Sequence, residues 1–187
     1  MRVILISALT LCLAGATTSG TTGVGGGAQS VADAAVRCDL HAYVVDPDPA
    51  GLNVRAGPGK ASPVVATLKH ADYSVAMTIT GATGQWVRIE KAFAEETDEE
   101  LFKGPGWVYA PMLATQTNDR AAREGGKPSV KIFKEPGKRG AVVTLLPTET
   151  QVNIIGCKGG WAQVRYKKIE GWLSPDSQCA NTLTTCS

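Results

Sequence analysis

The sequence predicts an all-β protein built as two small barrels in tandem, and three observations carry that prediction. Glycine and proline are abundant, at 21 and 10 of 187 residues, which suits short strands joined by turns better than long helices. Apolar runs are short and bounded by Gly, Pro or Asp, as strand segments are. The third observation is an internal repeat: Pro58-Gly59-Lys60 followed by Val64-Val65-Ala66-Thr67-Leu68 returns as Pro136-Gly137-Lys138 followed by Val142-Val143-Thr144-Leu145-Leu146. Two copies of this size imply two small domains, not a solenoid.

Residues 1–16 have the pattern of a cleaved signal peptide: Arg2, an apolar run from Val3 to Leu13, and the small residues Ala14-Gly15-Ala16. The run is too short to span a membrane, and export is expected. Residues 17–37, rich in Thr, Gly and Ser, read as a flexible leader. Gly23-Val24-Gly25-Gly26-Gly27-Ala28 matches a dinucleotide-binding fingerprint, but no strand precedes it.

The first domain is expected over residues 38–114. Its strands are Ala42–Val45, Leu52–Arg55, Val64–Leu68, Tyr73–Thr80, Gln85–Glu90 and Trp107–Tyr109, with a helical turn at Pro111–Leu113. Asp46-Pro47-Asp48-Pro49 lacks the further oxygens of a calcium loop and reads as a turn. In Trp86–Glu90, Val87 and Ile89 share one face while Trp86, Arg88 and Glu90 share the other. Glu95, Glu96, Asp98, Glu99 and Glu100 crowd one stretch, read as a solvated hairpin loop without catalytic pairing. Polar residues 115–127 read as an interdomain linker. The second domain is expected over 128–178, with strands Val130–Phe133, Val142–Leu146, Val152–Ile155, Trp161–Tyr166 and Gly171–Leu173. An irregular tail, 179–187, follows.

Without Cys12 of the signal, four cysteines remain, an even count that reads as two disulfides in an exported chain. The preferred pairing is Cys157 with Cys179, within one repeat, and Cys38 with Cys186, tying the ends together. No metal site is expected, since no Cys pair has C-x₂₋₄-C spacing and neither histidine lies near a cysteine in sequence.

The stretch Leu52-Asn53-Val54-Arg55-Ala56-Gly57-Pro58-Gly59, followed by Pro63-Val64-Val65, Trp86-Val87-Arg88-Ile89 and Gly106-Trp107-Val108, resembles bacterial SH3-like domains over nearly all of 41–114. The second unit resembles them less closely: it keeps Gly160-Trp161 and Gly171-Trp172, but Lys131-Ile132-Phe133 replaces the Asn-x-Arg opening. The resemblance implies SH3-like barrels, an exported bacterial setting, and binding to cell-wall peptide or protein without catalysis.

Chemistry read from the residues points the same way. Only His41 and His70 occur, neither in a motif with serine or cysteine, and no HExxH or phosphate loop appears. A non-enzyme without cofactor is expected. Candidate ligand-binding residues are Trp86 with Arg88 and Trp161 with Arg165, aromatic–cation pairs able to stack and to pair with a carboxylate, plus Arg55, whose alternative role is bracing a turn. A net charge of +2 excludes a strongly basic nucleic-acid binder. Charge is nevertheless split: six Lys/Arg against nine Asp/Glu over 41–114, and eight Lys/Arg against three Glu over 128–173. The expected partner is peptidoglycan or another wall polymer met by the basic unit, or alternatively an envelope protein; the acidic loop could instead dock on the basic unit.

Overall fold

The computed structural model describes residues 35–118, 129–137 and 139–181. The calls on the signal peptide, most of the leader, residues 119–127, Cys186 and the end of the tail lie outside these. The strands are β1 (Val36–Val44), β2 (Leu52–Arg55), β3 (Val64–Leu68), β4 (Val75–Thr83), β5 (Trp86–Ala94) and β6 (Glu100–Tyr109). They continue with β7 (Leu113–Thr117), β8 (Ser129–Phe133), β9 (Val142–Pro147), β10 (Gln151–Lys158), β11 (Trp161–Tyr166), β12 (Ile169–Leu173) and β13 (Gln178–Cys179). Single 3-10 turns occupy Ala110–Met112 and Pro175–Ser177. The fold is all-β, as expected, and alternation is kept where it was read: Val87 and Ile89 are fully buried between half-buried Trp86 and Arg88. The Pro-Gly turns work through Gly59 and Gly137, whose φ values of 131° and 132° are open to glycine and strained for other residues.

The strands form one path. Outward from the central β1–β7 pair, β4, β5, β6, β2 and β3 follow on one side, and β10, β11, β12, β8 and β9 on the other. The two halves therefore repeat each other around a pseudo-twofold centre, with six strands apiece along the path, where six and five were expected, and β13 pairs with β7 off it. The additional strand of the second half is β7, so Thr115–Thr117 are not linker. Their polarity conceals burial: Thr117 Oγ1 donates to Pro147 O at 2.7 Å and accepts from Thr150 N at 2.9 Å. Equivalent bulges, between Ile79 and Gly81 and between Ile154 and Gly156, bend β4 and β10. Tyr43 pairs with Ala114, and Val44 with Leu113. Because main-chain bonds join the halves there, the buried residues of both belong to a single contiguous core, not to two separate ones.

The Gly-Trp motif has the same cause in each half. A Cβ on Gly106 would collide with Val54 Cγ1 and come within 2.9 Å of Phe102; one on Gly171 would collide with Ile132 and come within 2.8 Å of Phe133 O. These glycines let β6 and β12 pass closely over β2 and β8. Gly106→Ala and Gly171→Ala are each expected to cost about 2 kcal/mol through overpacking. The readout is a lower urea midpoint at unchanged slope, and an unmoved midpoint would mean the strands can part freely.

The cysteine pairing differs from the expectation. Cys38 bonds Cys157, with Cα atoms 5.8 Å apart, so neither Cys157–Cys179 nor Cys38–Cys186 forms. The reason is the course of β1, which pairs with β4 of its own repeat but bulges between Arg37 and Leu40 and there runs beside the β10–β11 turn. Asp39 N donates to Gly159 O, and Gly159 N donates to Arg37 O, at 2.9 and 2.8 Å. That contact brings Cys38 over Cys157. Cys179 is also disulfide-bonded.

Candidate functional site

Each proposed binding residue sits within its own repeat. Arg55, half-buried at the end of β2, donates from Nη1 to Ser62 O at 2.8 Å and so braces the turn that follows. Trp86 opens β5, faces Tyr109 across β6 and packs against it with ring centroids 5.5 Å apart. Trp161 opens β11 at the corresponding place and packs edge-on against Phe133 at 5.6 Å. Both tryptophans are half-buried, whereas Trp107 is a core residue. Arg88 lies 3.5 Å from Glu90 and lines a polar recess with Arg37 and Thr80, whose Oγ1 is buried without a partner among the described residues. Arg165 is occupied by its cross-strand neighbour Glu170, with Nη2 and Nε at 2.7 and 2.8 Å from Oε1. The tryptophan–arginine pairs thus belong to two separate surfaces, and two of the three arginines are engaged at short range.

Sequence reasoning missed a groove between the repeats, with a volume of about 510 Å³. One wall comes from the first repeat: His41 on β1, Phe93 on β5, and Glu95 and Asp98 in the β5–β6 turn. The other comes from Asn118, just after β7, and from the segment from Pro175 to Asn181. A smaller recess of about 170 Å³ shares His41 and Gln178 and carries the surface on to Asp39 and Gly160.

Local hydrogen bonding fixes both walls. Ser74 N donates to both Glu96 carboxylate oxygens, at 3.0 and 3.1 Å, and Glu95 N donates to Ser74 O at 2.9 Å. Within the turn, Asp98 N donates to Ala94 O while Ala94 N donates to Glu99 O, and Asp98 takes φ 57°. The acidic stretch is therefore a solvated hairpin turn, as expected, with Glu96–Glu100 exposed and the turn anchored by these bonds. Across the groove it faces Pro175–Asn181, a segment containing Asp176. Opposite, Gln178 Nε2 donates to Gly160 O at 2.8 Å, Asn118 N donates to Ser177 O at 2.8 Å, and Thr115 Oγ1 donates to Cys179 O at 2.8 Å. The sequence signal for this wall was the wider spacing of the tryptophans in the first repeat, which marks the acidic insertion.

Burial pushes the Tyr43 phenol up to about 12; the side-chain hydrogen bond with Gln116 opposes that shift, and the Glu95 charge adds to it. Among the described residues no three His, Cys, Asp or Glu side chains converge to hold a metal ion. Among the same residues, no helix is long and apolar enough to cross a membrane.

No curated protein matches the chain. Among solved structures, NlpC2 from Trichomonas vaginalis is similar at 15% identity and a TM-score of 0.29, covering 76% of this chain and 48% of its own. NlpC1 from the same organism is similar at 17% identity and a TM-score of 0.28, covering 75% and 45%. The chain thus spans about half the length of each. The bacterial SH3 domain family matches residues 50–114 and again 128–177. Matched twice, and over more than half of its length, the chain belongs to the bacterial SH3 domain family.

Proposed function

We propose that the protein is an exported, non-catalytic binding module that recognises peptide or polymer of the bacterial cell wall. The observation that carries this reading is the pair of consecutive bacterial SH3 copies held in one sheet. The Cys38–Cys157 disulfide supports an oxidising, extracytoplasmic setting. Half-exposed Trp86 and Trp161, each backed by a second aromatic ring, offer rigid stacking surfaces of the kind that dominate binding energy. The basic excess of the second copy suits an anionic polymer. Cys38, Cys157 and Cys179 are all disulfide-bonded, so none of them supplies a thiolate nucleophile.

Sedimentation with purified sacculi tests the proposal. The full chain is expected to co-sediment, less so at raised salt, and Trp86→Ala and Trp161→Ala are each expected to weaken binding by about tenfold or more. Absence of co-sedimentation would overturn the wall reading. Turnover of wall fragments that is lost in His41→Ala would overturn the non-catalytic one.

A second reading, an adaptor for an envelope protein, draws on the two ends of the sheet. The path ends at β3 and β9, where Val64, Val65, Val142, Val143 and Leu145 are exposed. Apolar end strands suit addition of a partner's strand. Capture of one protein from envelope extract, with no binding to sacculi, would favour it.

A further inference from the structure

Strand register builds the polar recess beside Arg88. Arg37 of β1 and Arg88 of β5 both stand opposite Gly81 of β4, one on each side of it. Directly opposed residues share a face of the sheet, and the outer two of three neighbouring strands lie about 10 Å apart, a gap that two arginine side chains can close. Gly81 leaves that gap open. A Cβ there would have Val36 O, Ala35 Cβ and Arg88 Cβ as its nearest atoms, at 3.3, 3.5 and 3.7 Å, with no guanidinium among them. The second repeat holds the filled counterpart: Gly156 follows the equivalent bulge and stands opposite Gln163, whose Oε1 would lie 2.7 Å from a Cβ on it. A neutral amide thus folds over the glycine in one copy, while in the other two cations line a recess of about 420 Å³.

Pairing inside this recess is incomplete. Among the described residues Arg37 forms no ion pair. Arg88 lies 3.5 Å from Glu90, longer than the roughly 2.8 Å of a charge-assisted hydrogen bond. Thr80, the bulged residue between Ile79 and Gly81, lines the same recess, and its Oγ1 is buried without a partner among the described residues. A buried hydroxyl left unpaired is unfavourable, and an acceptor that reaches it removes the loss. Against Glu90, the two arginines leave a single positive charge in excess, which matches one negative charge. The second copy fixes the main chain at this point, since Arg37 O accepts from Gly159 N and the next residue, Cys38, is bonded to Cys157.

We infer that this recess binds a carboxylate, held between the Arg37 and Arg88 guanidiniums and accepting a hydrogen bond from Thr80 Oγ1. Planar, forked guanidinium donors suit the two oxygens of a carboxylate. The inference rests on the wall-peptide reading above only for the source of the ligand. Trp86 shares its face of β5 with Arg88, so the recess extends the first aromatic surface.

The test is a titration of the full, oxidised chain, followed through its amide resonances, with N-acetyl-Ala-Ala and with N-acetyl-Ala-Glu-Ala-amide. The first carries its carboxylate at the chain end and the second on a side chain, so the two separate the possible sources. The controls are the C-terminal amide of the first and the glutamine counterpart of the second. At least one acid is expected to bind and to move the Thr80 and Gly81 resonances, with its uncharged control at least about tenfold weaker. Arg37→Gln, at an exposed position, should fold normally and lose about tenfold in affinity for that acid. Thr80→Val should keep or raise the melting temperature, because no described group pairs with the hydroxyl, while weakening the acid about threefold or more. Equal affinity for acid and control, no binding of either acid, tighter binding of inorganic phosphate, or full affinity in either variant would overturn the inference. Sacculus sedimentation separates it from the reading it rests on. Sedimentation without binding of the acids removes the recess and keeps wall binding; binding of an acid without sedimentation keeps the recess and removes the wall as the source.

Discussion

Replacing both cysteines of the inter-repeat bridge, in Cys38→Ala/Cys157→Ala, is expected to lower stability by about 4 kcal/mol. The bridge closes a loop with a sequence separation of 119, so it restricts the unfolded chain strongly. Alanine is the cleaner substitution, because both sites are buried and serine would leave hydroxyls to satisfy. The double variant is also cleaner than reduction, which would reach the Cys179 bond as well. Urea unfolding under oxidising conditions gives the number. A loss below about 1 kcal/mol would mean that the β1 start is held against the β10–β11 turn without help from the bond.

The second large effect is expected at Leu113, which is fully buried at the start of β7 and pairs with Val44 of β1. Leu113→Ala removes packing at the junction of the halves and should cost about 3 kcal/mol. The distribution of the effect is more telling than its size. Ala114, the next residue, pairs with Tyr43 on one side and Asn153 on the other, so loosening here reaches both copies. Hydrogen exchange should show lost protection in β4 and β10 together. Loss confined to one of them would contradict a shared junction.

Local grammar made much of the fold legible. Trp86–Glu90 and Trp161–Tyr166 alternate cleanly, and the strands they predict are present. Pro58-Gly59 and Pro136-Gly137 announce turns that their backbone angles require. Arg55 as a turn brace was also readable, since the turn it serves follows directly in sequence.

What the sequence concealed depends on contacts between the halves. Thr115-Gln116-Thr117 has the polarity of a linker, yet Thr115 and Thr117 are buried because their hydroxyls bond carbonyls brought over from Cys179 and Pro147. The bridge partner of Cys38 could not be deduced from a repeat boundary that β1 ignores. The groove draws on His41, Phe93, Asn118 and Pro175, residues with no common motif or spacing. Only the paired centre of the sheet brings them together.

Scanning calorimetry of the full, oxidised chain tests that central pairing most directly. One continuous sheet over one core should unfold in a single transition, with a calorimetric enthalpy equal to the van't Hoff enthalpy. Two resolved transitions, each carrying roughly half the heat, would show that the copies fold as independent domains and that no shared centre joins them.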